Sequence, residues 1–146
     1  MEFKNPIGTI LYSIEQTIKE YRKLSQSNIN KIIQDITIDQ CLILIILNNN
    51  STSSQKEIAQ LIFKDHASIT RMIELMVKKD FLKRTINQSD RRKFDLKITS
   101  KGENALKLLT PIIKENRKKA LNGLSNKEID TLGEILQKIT NNCKSS

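Results

Sequence analysis

The residues of this chain best equipped for chemistry are cationic hydrogen-bond donors, and they gather between positions 64 and 101. That stretch holds eleven Lys or Arg against five Asp or Glu, an excess of six, within a 146-residue chain of formal charge +9. Two clusters stand out. His66, Ala67, Ser68, Thr70 and Arg71 mix small side chains, hydroxyls, an imidazole and a guanidinium. Asp90, Arg91, Arg92 and Lys93 crowd into the turn-prone NQSDRRK. The planar fork of Arg71 suits the two acceptors on the guanine edge, and the hydroxyls of Ser68 and Thr70 suit bases or phosphates. Adjacent cations in a turn repel one another and contribute little to folding. They match instead the negative potential of a narrow minor groove. Asp90, two positions before Arg92, is expected to hold that guanidinium in a bidentate pair and aim it. Lys83, Arg84 and Lys97 are placed to meet phosphates. The chemistry implied is polyanion recognition, with His66, Ser68, Thr70, Arg71, Lys83, Arg84, Asp90, Arg91, Arg92 and Lys93 as candidate DNA contacts.

The rest of the composition points away from other classes. No nucleophile stands with a base, no metal-ligand cluster has the right spacing, and no glycine-rich phosphate loop is present, so no enzyme activity, cofactor or metal is expected. Cys41 and Cys143 lie far apart without a CxxC, and Cys41 in its apolar run reads as an inert core thiol. His66 is the single histidine. Its reference pKa near 6.5 would suit pH sensing, but a surface or DNA-contacting imidazole is the plainer reading. The longest apolar run, Cys41 to Leu47, is far short of the roughly 20 residues that span a bilayer. With no visible N-terminal signal pattern, a cytoplasmic protein without a membrane role is expected.

The elements that must position these clusters follow from periodicity. Ile7, Ile10, Leu11, Ile14, Ile18 and Tyr21 have helical spacing, with Pro6 suited to the first turn and SQSNIN (25–30) reading as a polar break. Ile29, Ile32, Ile33 and Ile36 form a second apolar set too short to place. Asp39 to Leu47 reads as a helix apolar nearly all round, hence central. NNNSTS is a connector, after which Ser54 and Glu57 have capping-box spacing for a short helix through Phe63. Asp65 caps a helix over 66–79 with Ile69, Met72, Ile73 and Met76 inward. Two short helices in tight succession are the helix-turn-helix pattern.

Leu82, Arg84, Ile86 and Phe94, Leu96, Ile98 alternate with polar neighbours, which predicts a hairpin with one face inward. Thr99 caps a long helix to about Lys119, in which Pro111 should kink or loosen one turn. Ser125 and Glu128 form another capping box, opening a last helix with Ile129, Leu132, Ile135, Leu136 and Ile139. The fold class is mainly α with a small β-hairpin wing: a winged helix-turn-helix over 39–100, flanked by helices over 1–36 and 101–146. Those terminal helices carry apolar stripes with nothing left in the chain to cover, so their simplest use is to pack against a second copy.

On these residues the chain resembles the MarR family of winged-helix regulators. SQKEIA resembles that family's third-helix opening, SITRMIELMVKKDFL its recognition helix, DRRKFDLKITSKG its wing signature, and LSNKEIDTLGEILQKI its closing helix. The resemblance implies a homodimer through the terminal helices, with helix 66–79 in the major groove and wing 83–98 in the minor groove of a pseudo-palindromic operator. By the same resemblance Asp90 and Arg92 take the places of the wing Asp and minor-groove Arg. Thr70 and Arg71 match recognition-helix positions. It further implies a repressor released by a small, often aromatic and anionic effector, or by an oxidant.

There are departures from the family pattern. Asp80 stands where Gly is common, Leu75 where a basic residue is common, and residues 3–24 lack the Cys of the peroxide-sensing members. A non-specific nucleic-acid binder or a redox-sensing winged-helix protein stays as the alternative.

Overall fold

The computed structural model describes residues 5–144. In order it contains α1 (Ile10–Asn30), α2 (Ile38–Asn49), α3 (Gln55–Leu61), α4 (His66–Lys78), strands β1 (Leu82–Ile86) and β2 (Phe94–Ile98), α5 (Ser100–Ala120) and α6 (Asn126–Lys144). The strands form one antiparallel ribbon with Leu82 opposite Ile98 and Ile86 opposite Phe94. This is a helix-turn-helix with a two-stranded wing, framed by long terminal helices.

The core is built where α2 crosses the other elements. Ile43 and Leu44 of α2, Ile58 of α3, Ile69, Ile73 and Met76 of α4, Leu82 of β1 and Leu109 of α5 are fully enclosed together. Helix α2 is apolar nearly all round because α1, α5 and β2 pack against it, burying Cys41, Ile43, Leu44 and Leu47. Its capping box is complete: Thr37 accepts from Gln40 N–H, and the Gln40 side chain accepts from Thr37 N–H.

Several expectations change. SQSNIN is no break: α1 runs through it, because Ser25 and Ile29 are the residues it buries. A small hydroxyl and an apolar side chain four apart share a helix face, so the polar composition hid a packing stripe. Pro6 precedes the helix, in a turn whose carbonyl accepts from Thr9, the true N-cap. Pro111 lies inside α5, where the sequence placed it. The short helix α3 stops at Leu61, and Phe63 sits beyond it with φ +60. At the other tight end, Asp80 takes φ +66 and closes α4, with Phe81 N–H reaching back to the Met76 carbonyl. Asp tolerates that left-handed position where most side chains do not.

The ribbon is inward only at its root. Leu82 and Leu96 are buried, whereas Ile86 and Phe94 at the far end of the same face are 62% and 61% exposed. Gly102 locks the root to α5. A Cβ there would collide with the Phe81 carbonyl and come within 2.6 Å of Ile98 Cγ2.

Candidate nucleic-acid interface

Helix α4 starts at Asp65, whose carboxylate accepts a 2.7 Å bond from Ser68 N–H. The backbone and hydroxyl of Ser68 hold that carboxyl below its usual pKa, with Arg71 and Lys64 adding charge attraction. With Ile69, Ile73 and Met76 locked in the core, the opposite face presents His66, Ala67 and Arg71 to solvent. Thr70 is half-buried. Its hydroxyl donates to the His66 carbonyl at 2.9 Å and accepts from Gln55 Nε2 at 2.6 Å. What remains free on Thr70 is therefore acceptor capacity, not a donor. Leu75 is partly exposed one turn on, without charge.

The wing tip is organised by two carboxamide and carboxylate turns. Asn87 Oδ1 accepts from Ser89 and Asp90 N–H at 2.8 and 3.0 Å, and Asp90 Oδ1 accepts from Arg92 N–H at 3.0 Å. The same Asp90 oxygen lies 3.5 Å from Arg92 Nε. The expected bidentate pair is thus a single-oxygen contact. Asp90 fixes the Arg92 backbone and leaves the guanidinium almost wholly in water. Arg91, Arg92 and Lys93 all project outward.

A groove of about 480 Å³ joins the two clusters, lined by Ser54, Gln55 and Lys56 of the α3 start, His66 and Thr70 of α4, and Arg84, Arg92, Lys93 and Phe94 of the wing. Five of the ten candidate contacts meet there: His66, Thr70, Arg84, Arg92 and Lys93. Ser68, Arg71, Asp90 and Arg91 lie outside its lining, on the same two elements. Lys83 stands apart, paired in register with Lys97 on the ribbon face that alternation turns away from Arg84.

Not every cation between 64 and 101 is available to a partner. Lys79 donates to the Asp35 carbonyl, Lys101 donates to the Lys79 carbonyl and lies over the Phe81 ring, and Lys64 pairs with Asp39. Sequence reasoning missed Gln55, Lys56, Asn87 and Phe94. For Asn87 the signal was present, since Asn two residues before a Ser-Asp pair is an Asx turn. Gln55 and Lys56 were read only as a helix opening, and Phe94 only as an inward strand residue.

A second concavity, about 370 Å³, lies between α1, α2 and α5 with Phe63 at its edge. Its walls are apolar (Ile29, Ile38, Ile45, Ile113), with Tyr21, Arg22, Asn116 and Arg117 as polar groups. Asn116 is 2% exposed; its Oδ1 accepts from Asn28 at 2.7 Å while its Nδ2 has no partner. Arg22 donates to Asp39 at 2.7 Å, and the other Asp39 oxygen lies 3.7 Å from Lys64. Asp39 thereby links α1 to the turn that leads into α4. Cys41 also borders this space, and burial pushes its thiol up to about 12. Among the described residues no group of His, Cys, Asp and Glu has the makings of a metal site, and no helix is long and apolar enough to cross a membrane.

Comparison with known proteins agrees with this architecture. The sequence model of the MarR family matches residues 36–94. An HTH-type transcriptional regulator of Bacillus subtilis, YpoP, is 24% identical over 131 residues, covering 89% of this chain and 93% of its own. Two solved structures superpose over nearly the whole length. A MarR mutant from E. coli in complex with operator DNA gives a TM-score of 0.84 at 21% identity, covering 95% of this chain and 99% of its own. BpsR of Bordetella bronchiseptica, whose DNA binding is regulated by 6-hydroxynicotinic acid, gives 0.83 at 17% identity over 96% and 98%. The matched segment spans α2, the helix-turn-helix and the wing as far as Phe94, so the part of the chain that builds the cationic groove is similar to the MarR family of regulators.

Proposed function

We propose that two copies of this chain grip one pseudo-palindromic DNA duplex as a transcriptional repressor, each placing α4 in a major groove and its wing in the adjacent minor groove. The observation that carries this reading is the shared groove: His66 and Thr70 of α4 and Arg84, Arg92 and Lys93 of the wing line one concave surface. Helix α4 would read base edges through Arg71, Thr70 and Ser68. Arg92, its backbone set by Asp90, would enter the minor groove, while Arg84, Lys93 and Lys56 meet phosphates. Lys83 and Arg91 would contribute attraction at longer range. The apolar faces of α1 and α6 support pairing of two copies, since two recognition helices must sit roughly 34–36 Å apart to meet successive turns of one duplex face. Action on DNA supports a cytoplasmic setting.

The pocket between α1, α2 and α5 supports control by a small, mostly apolar effector carrying an acceptor or anionic group. Asn116 Nδ2 offers that group a donor already stripped of water, and Arg22 and Arg117 offer charge. An anion that draws Arg22 from Asp39 would alter the link to Lys64 at the start of α4, changing the spacing of the two recognition helices.

Selection from a random duplex library tests the specific reading, with recovery of an inverted repeat as the expected result. Recovery of no consensus would leave a non-specific nucleic-acid binder. Replacing Arg92 with Ala should weaken binding to the recovered site by roughly 1–3 kcal/mol. Undiminished affinity would remove Arg92 from the interface.

A further inference from the structure

The outer end of the wing carries an apolar pair that the fold does not use. Ile86 and Phe94 are cross-strand partners on the ribbon face whose root is buried, yet both keep most of their surface exposed, and Phe94 lines the groove. A cross-strand aromatic pair steadies a hairpin, but the outer face, where Thr85 faces Asp95, would serve that purpose equally. Phe94 instead lines the groove together with Gln55, His66, Thr70, Arg92 and Lys93. The Arg84 guanidinium lies 5.8 Å from the ring centroid. An aromatic ring beside Arg84, Arg92 and Lys93 gives one surface both apolar and cationic character. It matches a sugar–phosphate strand, in which anionic groups alternate with C–H-rich sugars.

We infer that Phe94, with Ile86 beside it, is a non-ionic DNA contact that packs against the deoxyribose of the strand passing from the major groove at α4 to the minor groove at the wing. This rests on the DNA-binding reading above and adds a component to it. The cations supply attraction that fades with salt, whereas the ring supplies contact that does not. Apolar side chains at minor-groove interfaces are used elsewhere as wedges between base steps, so non-ionic contact there has precedent.

The test compares Phe94→Ala, Phe94→Leu and Arg92→Ala in anisotropy titrations on a mixed-sequence duplex across about 50–200 mM salt. Phe94→Ala should lower affinity about fivefold to tenfold at every salt concentration, with the slope against log salt unchanged. Phe94→Leu should recover much of the loss. Arg92→Ala should flatten the slope by about one. The sequence contains no Trp, so Phe94→Trp installs a single reporter whose emission should be quenched when the duplex is added.

Equal affinity of Phe94→Ala and wild type overturns the inference. So does a flattened slope in Phe94→Ala, which would mean that the ring acts only by holding Arg84. Duplex binding without any change in Trp emission overturns it too, as does quenching by anionic phosphatidylserine vesicles but not by the duplex. A wild-type protein that binds no duplex at any salt fails at the earlier step, the DNA-binding reading itself.

Discussion

Asn28 Nδ2 donates a 2.7 Å hydrogen bond to Asn116 Oδ1, tying α1 to α5 across 88 positions of sequence. The other amide atom, Asn116 Nδ2, is buried without an acceptor, in a residue that lines the interior pocket. A buried amide left half satisfied costs stability, and a ligand acceptor would return it.

Asn28→Ala should therefore destabilise the fold by roughly 1–3 kcal/mol, because Asn116 then has neither polar atom paired. The double change Asn28→Leu with Asn116→Leu should lie closer to wild type, since no buried polar group remains. Urea denaturation at fixed protein concentration checks both. A double variant weaker than the single one would mean that the amide pair contributes packing rather than polarity.

Gly102 tests how the wing is held. Gly102→Ala places a methyl against the Phe81 carbonyl and Ile98, so β1, β2 or α5 must shift. The expected loss is about 1–3 kcal/mol, with DNA affinity falling alongside as the wing is displaced from α4. Wild-type stability in this variant would contradict the close approach of α5 to the ribbon root.

Cys41 bears on the redox alternative. Its thiol is buried and raised to about 12, so at neutral pH it carries almost no thiolate, whereas Cys143 is exposed. Iodoacetamide should modify one thiol per native chain, at Cys143, and two in denaturant. The raised pKa also fixes a sign. The folded state holds the proton more tightly than the unfolded chain, so stability from this group is complete below about 9 and is lost as pH rises toward 12. The slope is at most about 1.4 kcal/mol per pH unit from one group. Rapid native labelling of Cys41 would revive an oxidant-sensing role.

The closing helix is the place to break a dimer. None of the described residues of α6 is buried, and Leu132 and Ile135 are 47% and 48% exposed on its apolar stripe. Ile10 and Leu11 at the start of α1 are likewise uncovered. Leu132→Lys with Ile135→Lys should convert a dimer into single chains at micromolar concentration, measured by light scattering, while the helix-turn-helix core keeps its helical circular dichroism. Operator affinity should fall steeply, since one winged lobe alone makes half the contacts. Wild-type protein that scatters as single chains would remove the paired-lobe arrangement.

Much of this protein was legible in its residue order. The caps at Ser54, Asp65, Thr99 and Ser125, the core set of α4 and the hairpin at 82–98 all follow from local spacing. Such signals are local because an N-cap or an Asx turn is satisfied by neighbours within a few positions. Periodicity, by contrast, says that a face is apolar without saying what covers it. Ser25 proved to be interior because α1 meets other helices there. Phe94 proved to be exterior because the ribbon outruns the core.

The sequence by itself therefore determined the elements, their caps and the cationic character of the surface. Only the tertiary structure decided that Gln55 and Lys56 share a groove with Arg92, that Phe63 takes a left-handed turn at the edge of a pocket, and that Asn116 turns an unpaired amide into the interior. Each of these depends on segments far apart in the chain being brought together. No local pattern records that distance until the core has closed.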